Sequence, residues 1–286
     1  MPPSAKTGYF RNGLPYKRSG HGPRPLLIFQ GLTFEHKPQG IMLTMYKFLE
    51  NDYTLYGVLR KPQPPQGYTL GDMANDCAVM IREEFGGPVD VLGISTGGSV
   101  ALHFAADHPE LVRRLVIHSS AHTLNDTAKQ LQVDVARLAQ QGRWRQAWAI
   151  LVGTIYPQAG LGKWLSRPLV WLSAGLLSLS APKDPTDLVV TVEAEDKLAF
   201  QDRLAEITAP TLVTGGVDDF FYSPTLFRET AAGIPNAKLC LYEKMGHPAG
   251  GKQFRRDVLA FLRDESIISR SHASMGENDT RSISYE

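Results

Sequence analysis

The 286 residues are 43% hydrophobic and 21% charged, the balance of a folded globular chain with core enough for one large domain or two modest ones, which excludes a disordered or fibrous bulk. Its 30 basic side chains against 29 acidic ones leave no electrostatic footprint for nucleic acid or anionic lipid, so partners held mainly by charge are not expected. The N-terminus lacks the apolar stretch of a secretion signal and no segment approaches the roughly 18 uninterrupted apolar residues of a bilayer span, so a cytoplasmic protein without membrane association is expected.

In chain order, short apolar runs bounded by Gly, Pro or polar residues predict buried strands at 26–29, 53–59 and 89–94. Between the last two, Met73, Cys77, Met80 and Ile81 share one helical face, and Thr69 with Asp72 has the spacing of a capping box. A short apolar helix over 98–106 and a strand at 115–118 follow. Strand and helix in alternation imply an α/β class, with a mostly parallel sheet covered on both faces by helices.

From about 122 to 195 the strands stop and helical spacing takes over. Leu131, Val135 and Leu138 make one apolar stripe; Trp144, Ala147, Trp148, Leu151, Val152 and Ile155 make a wider one. A third segment, 169–181, is apolar but too short to span a membrane. Residues 122–195 therefore read as a helical insertion that divides one domain into 1–121 and 196–264. Strands return at 211–214 and 238–242. Ser223 as N-cap, Pro224 at the first helical position and Gly233 after the end delimit one helix, and Phe254, Val258 and Phe261 mark the last. Residues 265–286 are polar and Ser-rich, a composition expected to stay disordered. Cys77 on a helix face and Cys240 in a strand are expected as buried free thiols.

Between the strand at 89–94 and the helix after it lies Gly93-Ile94-Ser95-Thr96-Gly97, a G-x-S-x-G pattern. A nucleophilic serine needs this context: a sharp strand-to-helix turn with small flanking residues exposes the hydroxyl above the sheet edge. The following helix aims its N-terminal N–H groups at an oxygen that becomes negative during acyl transfer. The histidines offer no metal site, since no H-E-x-x-H pair or Cys cluster accompanies them. His118 and His122 fall near the end of a strand whose tip should face the site. His21, His36, His103, His108 and His272 have no feature beyond structural or solvated positions.

With this elbow, the stretch APTLVTGGVDDFF and the stretch LCLYEKMGHPAGG, the chain resembles the α/β-hydrolase superfamily, in its capped, single-domain, esterase-like branch, over about residues 9–263. The resemblance implies a triad in the order Ser, acid, His. It names Ser95 as nucleophile, His247 as base, and Asp219, with Asp218 as the alternative, as the acid that orients the ring. The oxyanion hole would use the Thr96 N–H and one from the loop IFQGLTF, with Leu32 as donor and Thr33 as the alternative. Relatives commonly carry His-Gly where this chain has Gln30-Gly31, and an Asp-x-Arg-Gly-x-Gly turn where it has LRKPQPPQG with Arg60.

The tryptophans, Trp144, Trp148, Trp164 and Trp171, all fall in the insertion. They either pack it onto the main domain or line an apolar pocket over Ser95, and Trp144, Trp148 and His122 are the pocket candidates. The expected substrate is a hydrophobic small-molecule ester, lactone or related carbonyl compound, with no cofactor and no metal. Carbon–carbon bond hydrolysis, acyl transfer and perhydrolysis use the same residues, and a receptor or scaffold without turnover is the alternative of another class.

Overall fold

The computed structural model describes residues 6–154 and 160–264; Ile155 and the expected disordered tail at 265–286 lie outside the described residues. The chain opens on two strands that no apolar run announces, β1 (Lys6–Tyr9) and β2 (Pro15–Gly20). They pair antiparallel at the edge of the sheet and stay largely exposed or half-buried, so nothing selects an apolar alternation in them.

The apolar runs form the rest of the sheet: β3 (Arg24–Phe29), β4 (Tyr53–Val58), β5 (Val89–Ile94), β6 (Val112–His118), β7 (Thr211–Gly216) and β8 (Ala237–Tyr242). The order is β1-β2-β4-β3-β5-β6-β7-β8, and every pair from β4 to β8 is parallel. Side chains alternate between two buried faces. Leu27, Phe29, Val91, Ile117 and Val213 enter one core; Leu26, Ile28, Leu92, Val116 and Leu212 enter the other.

Helices cover both faces. On the first lie α1 (Leu70–Glu84), which starts on the Thr69–Asp72 capping box, and α2 (Thr96–Asp107). Between β6 and β7 lie the helices α3 (Asp126–Gln140), α4 (Trp144–Gly153), α5 (Gly160–Ser178) and α6 (Thr186–Asp196). Val135, Ala139, Ala147, Leu188 and Val192 give these helices a small core of their own. After β7, α7 (Pro224–Gly233) begins at its Ser223 cap and includes Gly233 as its last residue; α8 (Gly251–Arg263) buries Phe254, Val258 and Phe261 against the second face. Cys77 is buried and Cys240 half-buried, both as free thiols.

These helices are pinned to the sheet through α6, which is buried almost all round. At its start the Asp187 carboxylate accepts the backbone N–H of His36 (2.7 Å) and of Gln63 (2.6 Å). At its end the buried Glu195 accepts the hydroxyls of Thr96 (2.7 Å) and Ser99 (2.9 Å) on α2. Burial raises the Glu195 carboxyl above its ordinary range, and these donors work against that shift.

Candidate active site

Ser95 joins β5 to α2 with φ 52° and ψ −128°, a conformation that costs an L residue about 1–3 kcal/mol and persists only where its surroundings impose it. The two glycines make the turn sterically possible. A Cβ on Gly93 would stand 2.5 Å from the Gly97 carbonyl oxygen, and one on Gly97 would stand 2.0 Å from that of Phe29. The result places the serine at the carboxyl end of the parallel strands, where open α/β sheets form their crevice.

The loops after β7 and β8 meet it there. His247 Nε2 lies 3.0 Å from Ser95 Oγ, and His247 Nδ1 lies 2.9 Å from Asp219 Oδ2. The Asp219 side chain is fully buried, and its other oxygen accepts the backbone N–H groups of Phe221 (2.9 Å) and Tyr222 (3.2 Å). A carboxylate only accepts, so Nδ1 carries the ring proton and Nε2 is left to accept from the serine hydroxyl. Asp218, by contrast, is exposed, and the bond to His247 comes from Asp219.

The loop after β3 closes the other side of the serine: a Cβ on Gly31 would lie 3.3 Å from Ser95 Cβ. Arg60 fixes this loop. It is buried and donates to the carbonyls of Gln30 (2.8 Å) and Gly31 (2.9 Å) and to His36 Nε2 (3.2 Å). Holding the Gly31 carbonyl on the Arg60 side turns the N–H of the same peptide unit, that of Leu32, the opposite way. Burial lowers the Arg60 pKa to about 10, still a cation at neutral pH, and lowers His36 to about 3, so His36 is the neutral acceptor that this bond requires. Thr96 opens α2, and its N–H is one of the helix's unpaired first-turn donors.

His118, expected to face the site from the end of its strand, is fully buried beneath it instead. Its Nε2 lies 2.8 Å from the Ala249 carbonyl oxygen and its Nδ1 2.8 Å from Tyr46 Oη. The carbonyl accepts, so Nε2 carries the proton and the phenol donates to Nδ1. The ring stacks on Phe254, and burial lowers its pKa to about 3. Ser119 Oγ accepts the Ala249 N–H (2.9 Å). Both polar groups of a residue two positions past His247 are therefore held by side chains at the end of β6. Neither Arg60 nor Ser119 was singled out as functional from the sequence.

Above the serine lies a cavity of about 680 Å³, lined by apolar side chains of the loops and of α4, among them Leu32, Phe34, Met42, Met45, Leu151 and Phe221. Its polar lining includes Ser95, His247, Thr33, Tyr46 and Gln132, and Arg255 stands at its wall. Trp144 and Trp148 are not in that lining. They pack on Phe34, with ring centroids 5.6 and 4.0 Å away, so Phe34 presents the aromatic surface to the cavity and the two indoles support it from behind. His122 also points elsewhere: its Nδ1 lies 3.1 Å from the Thr230 hydroxyl on α7, away from the cavity lining. Trp171 is exposed, and Trp164 lies where no side chain is described.

Over 218 residues, 73% of this chain and 79% of the relative, the sequence is 28% identical to the RutD protein of Serratia proteamaculans, which is named for carbamate hydrolysis. Over 185 residues, 61% of this chain and 62% of the relative, it is 30% identical to a 2-hydroxy-6-oxononadienedioate/2-hydroxy-6-oxononatrienedioate hydrolase of Cupriavidus pinatubonensis. Among solved structures, the α/β hydrolase enzyme MGS-M2 from a Medee basin deep-sea metagenome superposes with a TM-score of 0.74 at 17% identity, over 93% of this chain and 100% of the other. The enol-lactonase of Burkholderia xenovorans LB400 does so with a TM-score of 0.69 at 17% identity, over 90% and 100%. A family model of the alpha/beta hydrolase fold matches residues 55–250, most of the chain and every strand from β5 to β8, and the protein belongs to the α/β-hydrolase family.

Proposed function

We propose that this protein is a serine hydrolase that cleaves an ester, lactone or related carbonyl bond of a hydrophobic small molecule. The observation that carries the reading is the chain of hydrogen bonds Ser95–His247–Asp219 at the floor of an apolar cavity. In this mechanism Ser95 Oγ attacks the carbonyl carbon while His247 Nε2 takes its proton. Asp219 holds the Nδ1–H tautomer and stabilises the imidazolium. The Thr96 and Leu32 N–H groups stabilise the oxyanion, the role that gives Arg60 its importance. His247 returns the proton to the leaving alcohol, the acyl group stays on Ser95, and a water deprotonated by the same ring releases the acid. The cavity supplies apolar contact to the acyl or alcohol part of the substrate.

Carbon–carbon bond hydrolysis on the same residues is the second reading, favoured by the Cupriavidus relative that is named for a substrate of that kind. A panel of an aryl ester, a carbamate and a β-diketone separates the readings by which bond is cut. The nucleophile itself is tested by fluorophosphonate labelling read by peptide mass spectrometry. Labelling is expected at Ser95 and is lost in Ser95→Ala and His247→Ala; a folded wild type that does not label would refute the mechanism.

A further inference from the structure

Among the described residues, large exposed apolar side chains are concentrated in one place. Leu169 (54% exposed), Trp171, Leu172 (63%), Leu176 (63%), Leu177 and Leu179 (85%) all belong to α5 or the turn that ends it. Leu169, Leu172, Leu176 and Leu179 follow one another at intervals of three and four residues, so they form a single stripe along the helix. α5 packs on α4, and its buried Ala174 points to the other side. The stripe is therefore the outer surface of the cap. Monomeric soluble proteins rarely leave so continuous an apolar surface in water without a partner for it.

The charge of the segment that carries the stripe identifies that partner. No Asp or Glu occurs anywhere in residues 143–183, while Arg143, Arg145, Arg167 and Lys183 are all exposed. Arg145 lies over the Trp171 ring, 5.0 Å from its centroid, and donates to the Trp171 carbonyl, so positive charge sits against the apolar surface itself. The acidic groups that bound the segment are engaged: Asp134 with Arg137, and Asp184 with the N–H and hydroxyl of Thr186. The near-neutral charge of the whole chain averages this asymmetry away.

We propose that α5 is a membrane-docking face, which seats its leucine stripe and Trp171 in the interfacial layer of a bilayer with anionic headgroups while Arg145 and the other basic side chains of residues 143–183 meet the lipid phosphates. The association is peripheral, since none of the described helices is long and apolar enough to cross a membrane. A second copy of the chain is the poorer occupant. A two-fold contact through this face would bring Arg145, which lies over Trp171, toward its own copy, like charge against like charge. The docking face is independent of the bond that the enzyme cuts. It sits on the cap, whose Leu151 lines the catalytic cavity from α4.

The test uses the full-length protein in co-sedimentation with vesicles of phosphatidylcholine alone or mixed with phosphatidylglycerol. Binding is expected to the mixed vesicles only and to weaken as salt is added. The pair Leu172→Gln and Leu176→Gln is expected to lower the partition coefficient at least about tenfold, because two leucines no longer leave water. The pair Arg143→Gln and Lys183→Gln is expected to lower it by about tenfold or more through the lost headgroup attraction. Both pairs should keep the wild-type thermal midpoint and the wild-type turnover of a soluble ester. Failure to bind either vesicle would overturn the proposal, as would binding that neither pair weakens. So would a concentration-dependent dimer, seen by light scattering without vesicle binding and dissolved by the leucine pair, which would give the face to a second copy.

Discussion

Replacing Asp219 by Asn tests the proposed chemistry at the point where the structure says most about the outcome. One carboxylate oxygen already accepts two backbone N–H groups, from Phe221 and Tyr222, and the other faces His247 Nδ1. An Asn side chain here must keep its carbonyl oxygen on the two N–H donors, because its NH2 group cannot accept from them. The NH2 group then faces His247 and donates to Nδ1, which drives the ring proton to Nε2. In that tautomer Nε2 can no longer accept the proton of Ser95. Enforcing the wrong tautomer in this way costs on the order of 10⁴ in turnover in the serine-protease case, which corresponds to about 5.4 kcal/mol of transition-state stabilisation. The expected result is a fall of kcat of that order on an aryl ester, with KM and the thermal midpoint close to wild type, since the replacement is isosteric and keeps two hydrogen bonds. Asp218→Asn, at an exposed position, is expected to stay within about twofold, as surface substitutions do. Retention of more than about a tenth of the activity by Asp219→Asn, or an equal loss in Asp218→Asn, would refute the reasoning.

Arg60→Met releases the carbonyls of Gln30 and Gly31 and should lower kcat/KM by about 10–100-fold, less than the loss of an oxyanion donor outright, because the Leu32 N–H is misaligned rather than removed. Arg60→Lys should recover only part of this, since one ammonium cannot reproduce the fork; inhibition by a boronate transition-state mimic should weaken in parallel, and an unchanged boronate affinity would count against the positioning role. His118 is held neutral in the fold with a pKa of about 3, against an ordinary 6.5. Below pH 6.5 the unfolded chain binds a proton there that the native chain does not, so stability falls as pH drops from about 6.5 toward 3, by up to about 1.4 kcal/mol per pH unit from this group. In urea melts across that range, His118→Asn should reduce the proton uptake on unfolding by close to one; an unchanged slope would mean the ring is not held neutral. Finally, the apolar cavity predicts that kcat/KM rises with acyl length by about threefold to fourfold per methylene until the space is filled, and that Leu151→Trp ends this rise at a shorter chain. Identical chain-length profiles for the two proteins would place the acyl group elsewhere.

What could be read from the sequence, and what could not, divides along a physical line. The β5–Ser95–α2 turn is legible because its cause is local: Gly93 and Gly97 are required within the same five residues by the approach of their own neighbours and of Phe29. The capping box at Thr69 and the Ser223–Pro224 start of α7 are legible for the same reason. β1 and β2 are not, because an edge strand that keeps its side chains near water needs no apolar alternation. The groups that position the site are hidden for a different reason. Arg60 bonds the carbonyls of Gln30 and Gly31, and His118 and Ser119 hold the carbonyl and N–H of Ala249. A main-chain carbonyl is the same on every residue, so one partner in each of these bonds leaves no mark in the sequence, and the other reads as an ordinary buried polar residue. Trp144 and Trp148 show the converse limit. Their helical spacing announces an apolar face, but whether that face meets a ligand or Phe34 depends on a loop more than a hundred positions away in the chain. Local chemistry thus names the atoms that would react, while the contacts that aim them become visible only when distant backbone is brought into register by the sheet.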